Sequence, residues 1–173
     1  MNYPRRLVMN TSADLILAID AGLTCGMAAF TLTDGRLLWY RSQNFGSFPR
    51  LRRGASAILA ATSGVVLMVV EGGGNIADPW LKAAPHYGIL ATNVPAERWR
   101  TDMLLPRQQR SGVVAKQHAQ KQARQHINQH AEQRTKSLRD DTAEAIMLGE
   151  WAIPRVSQLF PSYVPAKGDH HDR

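Results

Sequence analysis

Two apolar runs that each end in a carboxylate constrain the fold of this chain more than any other feature. Leu-Ile-Leu-Ala-Ile ends at Asp20, and Val-Val-Leu-Met-Val-Val ends at Glu71. Continuous aliphatic runs of this length are typical of central strands in a sheet that is covered on both faces. A carboxylate at the end of a buried strand is costly unless it is paired or binds a cation. Glycines follow both carboxylates, at Gly22 and at Gly72, and leave room for a large charged group to approach.

Two further acidic residues lie near the C-terminus. Asp141 and Glu144 are three residues apart, a spacing that places both carboxylates on one face of a helix. The apolar residues that would dock this helix on a sheet are Ala145, Ile146, Leu148 and Trp151. Combined with Asp20 and Glu71, the pair completes a set of oxygen donors of the kind that Mg²⁺ requires. The four carboxylates predict a two-metal nuclease site.

Length and composition limit the class of protein. The chain has 173 residues, of which 44% are hydrophobic, which is sufficient for one domain with a substantial core. No apolar stretch approaches the roughly 20 residues that cross a bilayer, and the N-terminal residues lack the apolar segment of a signal peptide. We therefore expect a cytoplasmic protein without a membrane partner. The single cysteine, Cys25, is expected to be a small buried thiol.

The positive charge is concentrated in the middle of the sequence. Residues 97–139 contain 10 basic and 3 acidic residues, a difference of +7 that equals the net charge of the whole chain. Basic residues beside a carboxylate cluster suggest that a polyanion is brought to a metal site. The alternative is a solvated helix with a basic face. The candidate DNA-binding residues are Arg100, Arg107, Arg110, Lys116, Lys121 and Arg124.

The order of apolar and polar segments predicts an α/β fold with a mixed sheet. We expect a flexible arm at 1–14, an ordered domain at 15–153 and an irregular tail at 154–173. Asp34-Gly35 predicts a tight turn between antiparallel strands. The expected elements are three opening strands, a helix at 51–62, a strand at 65–71, a helix from Asp78 through Leu90 broken near Pro85, a short strand at 92–94, a basic loop at 106–112, a long helix at 113–136, and a helix carrying Asp141.

Four motifs in this order resemble those of RuvC-type Holliday junction resolvases. They are Ala-Ile-Asp20-Ala-Gly, Val-Val-Glu71, Val-Val-Ala-Lys116 at the start of a helix, and Asp141-Thr-Ala-Glu144-Ala-Ile. The resemblance covers residues 15–153. It implies an RNase H-like fold, in which three antiparallel strands open a mixed central sheet, parallel strands follow, and helices flank the sheet.

The resemblance also implies an activity and its cofactors. Members of this family act as homodimers that cut a four-way DNA junction symmetrically, using two Mg²⁺ ions in each active site, for which Mn²⁺ is expected to substitute. One ion activates water and the other stabilises the leaving 3′ oxygen. Asp20 would bridge the two ions, with Glu71, Asp141 and Glu144 completing the shell. Lys116 would assist at the scissile phosphate, and the dimer is expected to form through the helix after Asp78.

The sequence departs from the family pattern at three places. Ala21 follows the first aspartate where the family usually has proline. Glu144 occupies a position where aspartate is commoner, and Asp140 offers a competing carboxylate for the same metal site. The loop at 104–111 is longer and more basic than the short glycine-rich link typical of the family, which is expected to affect how the junction arms are held.

Other functions share parts of this pattern. The segment from Asp20 to Gly26 also resembles the first phosphate-binding turn of actin-like ATPases, but these need two such domains to enclose ATP, and 173 residues supply one. A transposase-type catalytic domain or a nuclease for other branched DNA or RNA remains open. A DNA-binding dimer without catalysis is disfavoured because all four acidic positions are filled.

Histidine and tryptophan residues suggest two weaker hypotheses. His126 and His130 are four residues apart, with His118 in the same helix, which is compatible with zinc. No glutamate follows His126 as the metalloprotease motif requires, so solvated helix residues are favoured. Trp80 and Trp99 would either stack on bases or be buried in the core, and burial is the commoner role.

Overall fold

The computed structural model describes residues 14–103, 112–130 and 138–165. The predictions for the arm at 1–13, for Arg107 and Arg110, and for the tail beyond residue 165 lie outside these ranges. Within the long helix, the side chains of Lys116, His126 and His130 also lie outside what the structure describes.

A five-stranded mixed sheet forms the centre of the molecule, with strand order β3-β2-β1-β4-β5. The strands are β1 (Leu15–Asp20), β2 (Thr24–Thr31), β3 (Leu37–Asn44), β4 (Val65–Glu71) and β5 (Leu90–Asn93). The first three pair antiparallel, whereas β4 pairs parallel to β1 and β5 pairs parallel to β4. The prediction of an α/β fold with three antiparallel opening strands followed by parallel strands is confirmed.

Six helices surround this sheet in the described part of the chain. They are α1 (Phe48–Ala61), α2 (Asp78–Ala83), α3 (Ala96–Met103), α4 (Gly112–His130), α5 (Asp140–Ala152) and α6 (Val156–Leu159). The predicted helix through Leu90 was too long, since a 3-10 turn at Ala84–Tyr87 follows α2 and Leu90 begins β5. Pro85 lies in that turn, at the predicted break. None of the described helices combines the length and apolarity needed to span a membrane.

Helix α3 was not predicted from the sequence. Its only buried side chain is Trp99, so the chain has no periodic apolar stripe to reveal the helix. Weaker signals were present: Pro95 comes immediately before the helix, and Glu97 lies in its first turn, as is common at helix N-termini.

The two faces of the sheet bury separate apolar clusters. Ile16, Ala18 and Phe30 face the helices α3, α4 and α5. Leu17 and Ile19 point the other way, to the face covered by α1 and α2. This alternation along a buried strand explains why β1 is apolar at every position before Asp20.

Helix α5 lies directly against β2, and two glycines permit the close contact. A Cβ at Gly26 of β2 would overlap the carbonyl oxygen of Asp141, and a Cβ at Gly149 of α5 would overlap the ring of Phe30. Eight residues of helix rise about 12 Å and four residues of strand span about 13 Å. The helix and strand therefore run side by side in the same direction, in contact at both ends.

The C-terminal segment differs from the prediction. We expected an irregular tail from residue 154, but a 3-10 turn at Ile153–Arg155 leads into α6. Phe160 is buried, and the Tyr163 hydroxyl donates a hydrogen bond of 2.9 Å to Asp14. Because Asp14 immediately precedes β1, the hydrogen bond from Tyr163 connects this segment to the first strand.

We expect Gly26→Ala to destabilise the protein by about 2 kcal/mol or more, since the added methyl group must push α5 away from β2. Urea denaturation monitored by circular dichroism would measure the change. Gly73→Ala is the matched control, because a Cβ there meets nothing within 4 Å and its φ is not in the left-handed region. Equal stability of the two variants would contradict the close contact.

Candidate active site

Asp20 and Glu71 lie side by side at the carboxyl ends of neighbouring parallel strands. The two residues are direct partners in the register of β1 and β4, and the amide of Ala21 donates to the carbonyl of Glu71 at 2.7 Å. Alternation along the strands places both on the face where Ala18 and Val69 meet α5. Glu71 is only 7% exposed, so its carboxylate is held within the protein and not in bulk water.

The first turn of α5 brings two more carboxylates to this edge of the sheet. Asp141 lies over Gly26, which is the antiparallel partner of Asp20. Glu144, one turn further along, is 6% exposed. An open groove of about 560 Å³ is formed here, lined by Asp20, Ala21, Gly22, Thr24, Arg139, Asp140, Asp141 and Glu144.

Burial and like charges in this groove change the acidity of Asp20. Burial, together with the neighbouring charges of Glu144, Glu71 and Asp141, raises the pKa of Asp20 to about 8. Desolvation and nearby like charges both disfavour the ionised form. The three neighbours named are the other members of the predicted metal set, so the structure brings all four into electrostatic contact.

Helix α3 supplies hydrogen-bond donors to the same cluster. Arg100 Nη2 donates to Glu144 Oε1 at 2.7 Å and lies 3.4 Å from Glu71 Oε1. The indole Nε1 of Trp99 donates to Glu71 Oε2. Burial raises the pKa of Glu71, while the bond from Trp99 and the charge of Arg100 oppose that rise. Arg100 was predicted from the sequence to contact DNA; in the structure its guanidinium bridges two carboxylates.

The tryptophans are part of the core. Trp80 and Trp99 are both fully buried, so neither is available to stack on a base. The edge contact of Trp80 with Phe45 and the bond from Trp99 to Glu71 account for their positions. Of the two roles considered for these residues, the structure supports burial.

Asp141 is held by polar contacts on the other side of the groove. Ser42 Oγ, from β3, donates to Asp141 Oδ2, and Arg139 Nε lies 3.6 Å from Asp141 Oδ1. Ser42 was not singled out in the sequence, and no motif there marks it. Its position follows from the register, because Ser42 is the partner of Gly26 across β2 and β3.

The donor chemistry of the cluster fits a hard divalent cation. Its side chains offer carboxylate oxygens without sulfur or imidazole, the ligand type that suits Mg²⁺ and Mn²⁺. A divalent charge would relieve the repulsion that raises the pKa of Asp20. Among the described residues, no three acidic, histidine or cysteine side chains are already arranged around one point. Arg100, Trp99 and Ser42 donate hydrogen bonds to oxygens of these carboxylates.

Asp140, the competing carboxylate, has a different environment from Glu144. Its side chain is exposed, and Oδ1 accepts a hydrogen bond from Gln120 of α4. Asp140 is also absent from the charges that raise the pKa of Asp20, of which Glu144 is the largest. The structure therefore places Glu144 in the buried cluster and Asp140 at its rim.

Basic side chains of α4 lie next to this rim. Lys121 and Arg124 are exposed and border a polar groove of about 420 Å³ that also includes Gln120. Lys116 lies in the same helix, one turn after its start. Of the histidines proposed for zinc, His118 is half-buried and belongs to no ligand cluster among the described residues, whereas the side chains of His126 and His130 lie outside the described part of the chain.

Cys25 does not supply a nucleophile to the site. The thiol is fully buried and donates to the carbonyl of Gly22 at 2.9 Å. Burial raises the pKa of Cys25 to about 11, so the thiolate is scarce near neutral pH. The expectation of a small buried thiol is confirmed.

The fold is similar to that of solved structures. T. thermophilus RuvC in complex with a Holliday junction substrate matches over 83% of this chain and 96% of that chain, with a TM-score of 0.57 and 12% sequence identity. The catalytic core domain of BIV integrase gives a much weaker match, with a TM-score of 0.33 and 12% identity over 82% of each chain. No protein-family model and no curated protein matches the sequence. The resemblance to RuvC-type proteins is thus confirmed at the level of the fold, and the chain has an RNase H-like fold.

Proposed function

We propose that the protein is a Mg²⁺-dependent, structure-selective endodeoxyribonuclease that resolves four-way DNA junctions by paired symmetric cuts. The observation that carries the proposal is the convergence of Asp20, Glu71, Asp141 and Glu144 from β1, β4 and α5. Burial of Asp20 and the charges of the other three carboxylates raise its pKa to about 8, a cost that a cation-binding role explains. The likeness to RuvC, solved with a Holliday junction, suggests the substrate.

The four carboxylates would hold two divalent ions, Mg²⁺ or in its place Mn²⁺. When bound, such ions activate water and stabilise the departing oxygen of a phosphodiester. The strands fix the backbone of Asp20 and Glu71, and the Gly26 contact fixes that of the first turn of α5, so regular elements and not loops carry the proposed ligands. Lys116 is proposed to contact the scissile phosphate.

The DNA is proposed to approach along α4. Lys121 and Arg124 are exposed there, and the hydrogen bond from Gln120 to Asp140 joins this basic surface to the rim of the carboxylate groove. Positive charge beside the acidic cluster would draw the phosphate backbone towards it. We extend the same role to Arg107 and Arg110, which lie outside the described residues.

Symmetric cutting of a junction requires two sites, and we propose a homodimer that supplies one from each copy. The candidate interface is the surface formed by α2, the helix after Asp78 expected from the sequence, together with α1 and the 3-10 turn that follows α2. It exposes two large side chains, Phe48 and Tyr87, and includes a groove of about 470 Å³ between the helices. This face lies on the side of the sheet away from α5, so pairing would leave both active sites accessible.

Incubation with a mobile four-way junction and a matched linear duplex in Mg²⁺ tests the activity, with nicks mapped on every strand. We expect symmetric paired nicks on the junction only, and loss of cleavage with retained junction binding for Asp20→Asn, because the substitution removes a proposed ligand but not the basic surface. Asp34→Asn, in the hairpin turn at the far end of β2, should cut like the wild type. Cleavage of flaps or RNA hybrids without junction cleavage would favour the alternative of a nuclease or transposase-type domain for other branched substrates.

The Asp20→Asn variant should be more stable than the wild type in the absence of metal. The pKa of Asp20 rises from 3.8 to about 8 on folding, so between these values the folded protein retains a proton that the unfolded chain loses. Stability therefore falls as the pH rises through this window, and Asp20→Asn removes that loss, a gain of about 2 kcal/mol or more near pH 8. Urea titrations at several pH values in EDTA would measure it; a destabilised variant would show that Asp20 is structural.

Glu144→Gln is expected to abolish junction cleavage, and Asp140→Asn to reduce it by less than about tenfold, since only Glu144 lies in the buried cluster. Both substitutions remove one negative charge from the start of α5, so each controls for the other. Single-turnover cleavage rates would provide the comparison. The reverse order of the two rates would make Asp140 the fourth ligand.

Lys121→Ala and Arg124→Ala should each weaken junction binding and lower the slope of log K against log salt by about one, as expected for loss of one phosphate contact. Fluorescence anisotropy at several salt concentrations, in Ca²⁺ to prevent cleavage, would measure both effects. Arg53→Ala, an exposed residue of α1 on the opposite face of the sheet, is the control. An unchanged salt slope in the α4 variants would exclude that helix from the DNA surface.

A further inference from the structure

Arg100 has an environment that a phosphate-binding arginine on an open surface would not have. Its guanidinium connects two nearly buried carboxylates, at 2.7 Å from Glu144 Oε1 and 3.4 Å from Glu71 Oε1. The Arg100 side chain is itself 30% exposed, and its Cζ lies 5.2 Å from the centre of the Trp99 ring. Trp99 donates to the second oxygen of Glu71, so α3 engages both carboxylates.

We propose that Arg100 is an internal counter-ion that holds Glu71 and Glu144 in the metal-free protein and releases them when a divalent cation binds. This inference rests on the proposed function, because it assumes that both carboxylates are metal ligands. It adds a residue of this chain that competes with metal for the site. Loading of the site with metal is then an exchange of one cation for another.

The competition follows from the geometry of the ion pairs. A guanidinium hydrogen bond uses the lone pair of a carboxylate oxygen that a metal would also use. The shared Arg100 contact also offsets the repulsion between Glu71 and Glu144, which would otherwise strain the metal-free fold. The two cations cannot use the same oxygens, so the affinity for metal is lowered by the free energy of the Arg100 contacts.

Because Arg100 is partly exposed, its guanidinium can move from the carboxylates into solvent. A fully enclosed guanidinium could not leave the cluster without an unpaired buried charge. Arg100 lies in the last turn of α3, beside the groove, and water can solvate it after exchange. A displaceable ion pair needs this access to water.

Mn²⁺ binding, measured by electron paramagnetic resonance of the free ion and by calorimetry, tests the inference without DNA or turnover. We expect Arg100→Gln to bind Mn²⁺ about tenfold more tightly than the wild type or better, since the competing charge-assisted bonds are removed. Without metal, the melting temperature of this variant should be lower than that of the wild type. Saturating Mn²⁺ should then raise the melting temperature of the variant by more than it raises that of the wild type. Arg100→Lys keeps the charge but not the fork that reaches two carboxylates, and should lie between the two; it also serves if the glutamine variant does not fold.

Arg98→Gln is the matched control for charge. Arg98 lies on the same helix but stacks on Trp151, with its Cζ 5.6 Å from the ring centre. Its removal changes the net charge equally and should alter Mn²⁺ affinity by less than about threefold. Equal tightening in both variants would mean a general charge effect and would overturn the competition.

Two results separate this inference from the proposed function. If the wild type binds Mn²⁺ and Arg100→Gln binds it equally or more weakly, Arg100 does not compete, and the carboxylate site stands without it. If neither protein binds Mn²⁺ at millimolar concentration, both the exchange and the proposed metal-dependent nuclease are overturned.

Discussion

The contact between α5 and β2 at Gly26 is the constraint on which the rest of the site depends. Because Gly26 has no side chain, the backbone of Asp141 rests directly on the strand at this residue, which is paired with Asp20. Any larger residue at that position would lift the first turn of α5 and separate its carboxylates from those of β1 and β4. The absence of one methyl group thus allows Asp141 to approach Asp20, although the two are 121 positions apart in sequence (141 − 20).

The approach that this contact permits is electrostatically unfavourable. Four carboxylates in one groove repel one another, and burial adds a desolvation cost. The structure offsets part of this with donors from other elements: Arg100 and Trp99 from α3 bond to Glu71 and Glu144, and Ser42 from β3 bonds to Asp141. Selection for stability alone would not favour bringing these four carboxylates together, because further donors are then needed to offset their repulsion. This cost of bringing the carboxylates together is what the proposed cation-dependent function would account for.

Sequence patterns predicted the parts of this architecture that carry a long or repeated signal. The apolar runs before Asp20 and Glu71 located two central strands, and the spacing of Asp141 and Glu144 located the first turn of α5. Helix α3 was missed because a short helix with one buried side chain has no apolar period. Arg100 was assigned to the DNA surface because composition records its charge but not its direction, and that direction depends on an unpredicted helix. The packed segment around Phe160 was missed because it also has no apolar period: one buried aromatic residue lies in a proline-rich stretch, a composition typical of irregular structure.

The fold does not by itself identify the function, which depends on the side chains at one edge of the sheet. The RNase H-like topology is compatible with nucleases, transposases and ATPase domains, and at 12% identity to RuvC the shared fold does not choose among them. The choice rests on what lies at the ends of β1 and β4. An ATPase of this fold class would need a second domain to enclose its nucleotide, whereas the proposed nuclease chemistry would need only the four converging carboxylates and the exposed basic residues of α4. Because Arg100 lies between those carboxylates, control over the metal would be part of the same arrangement.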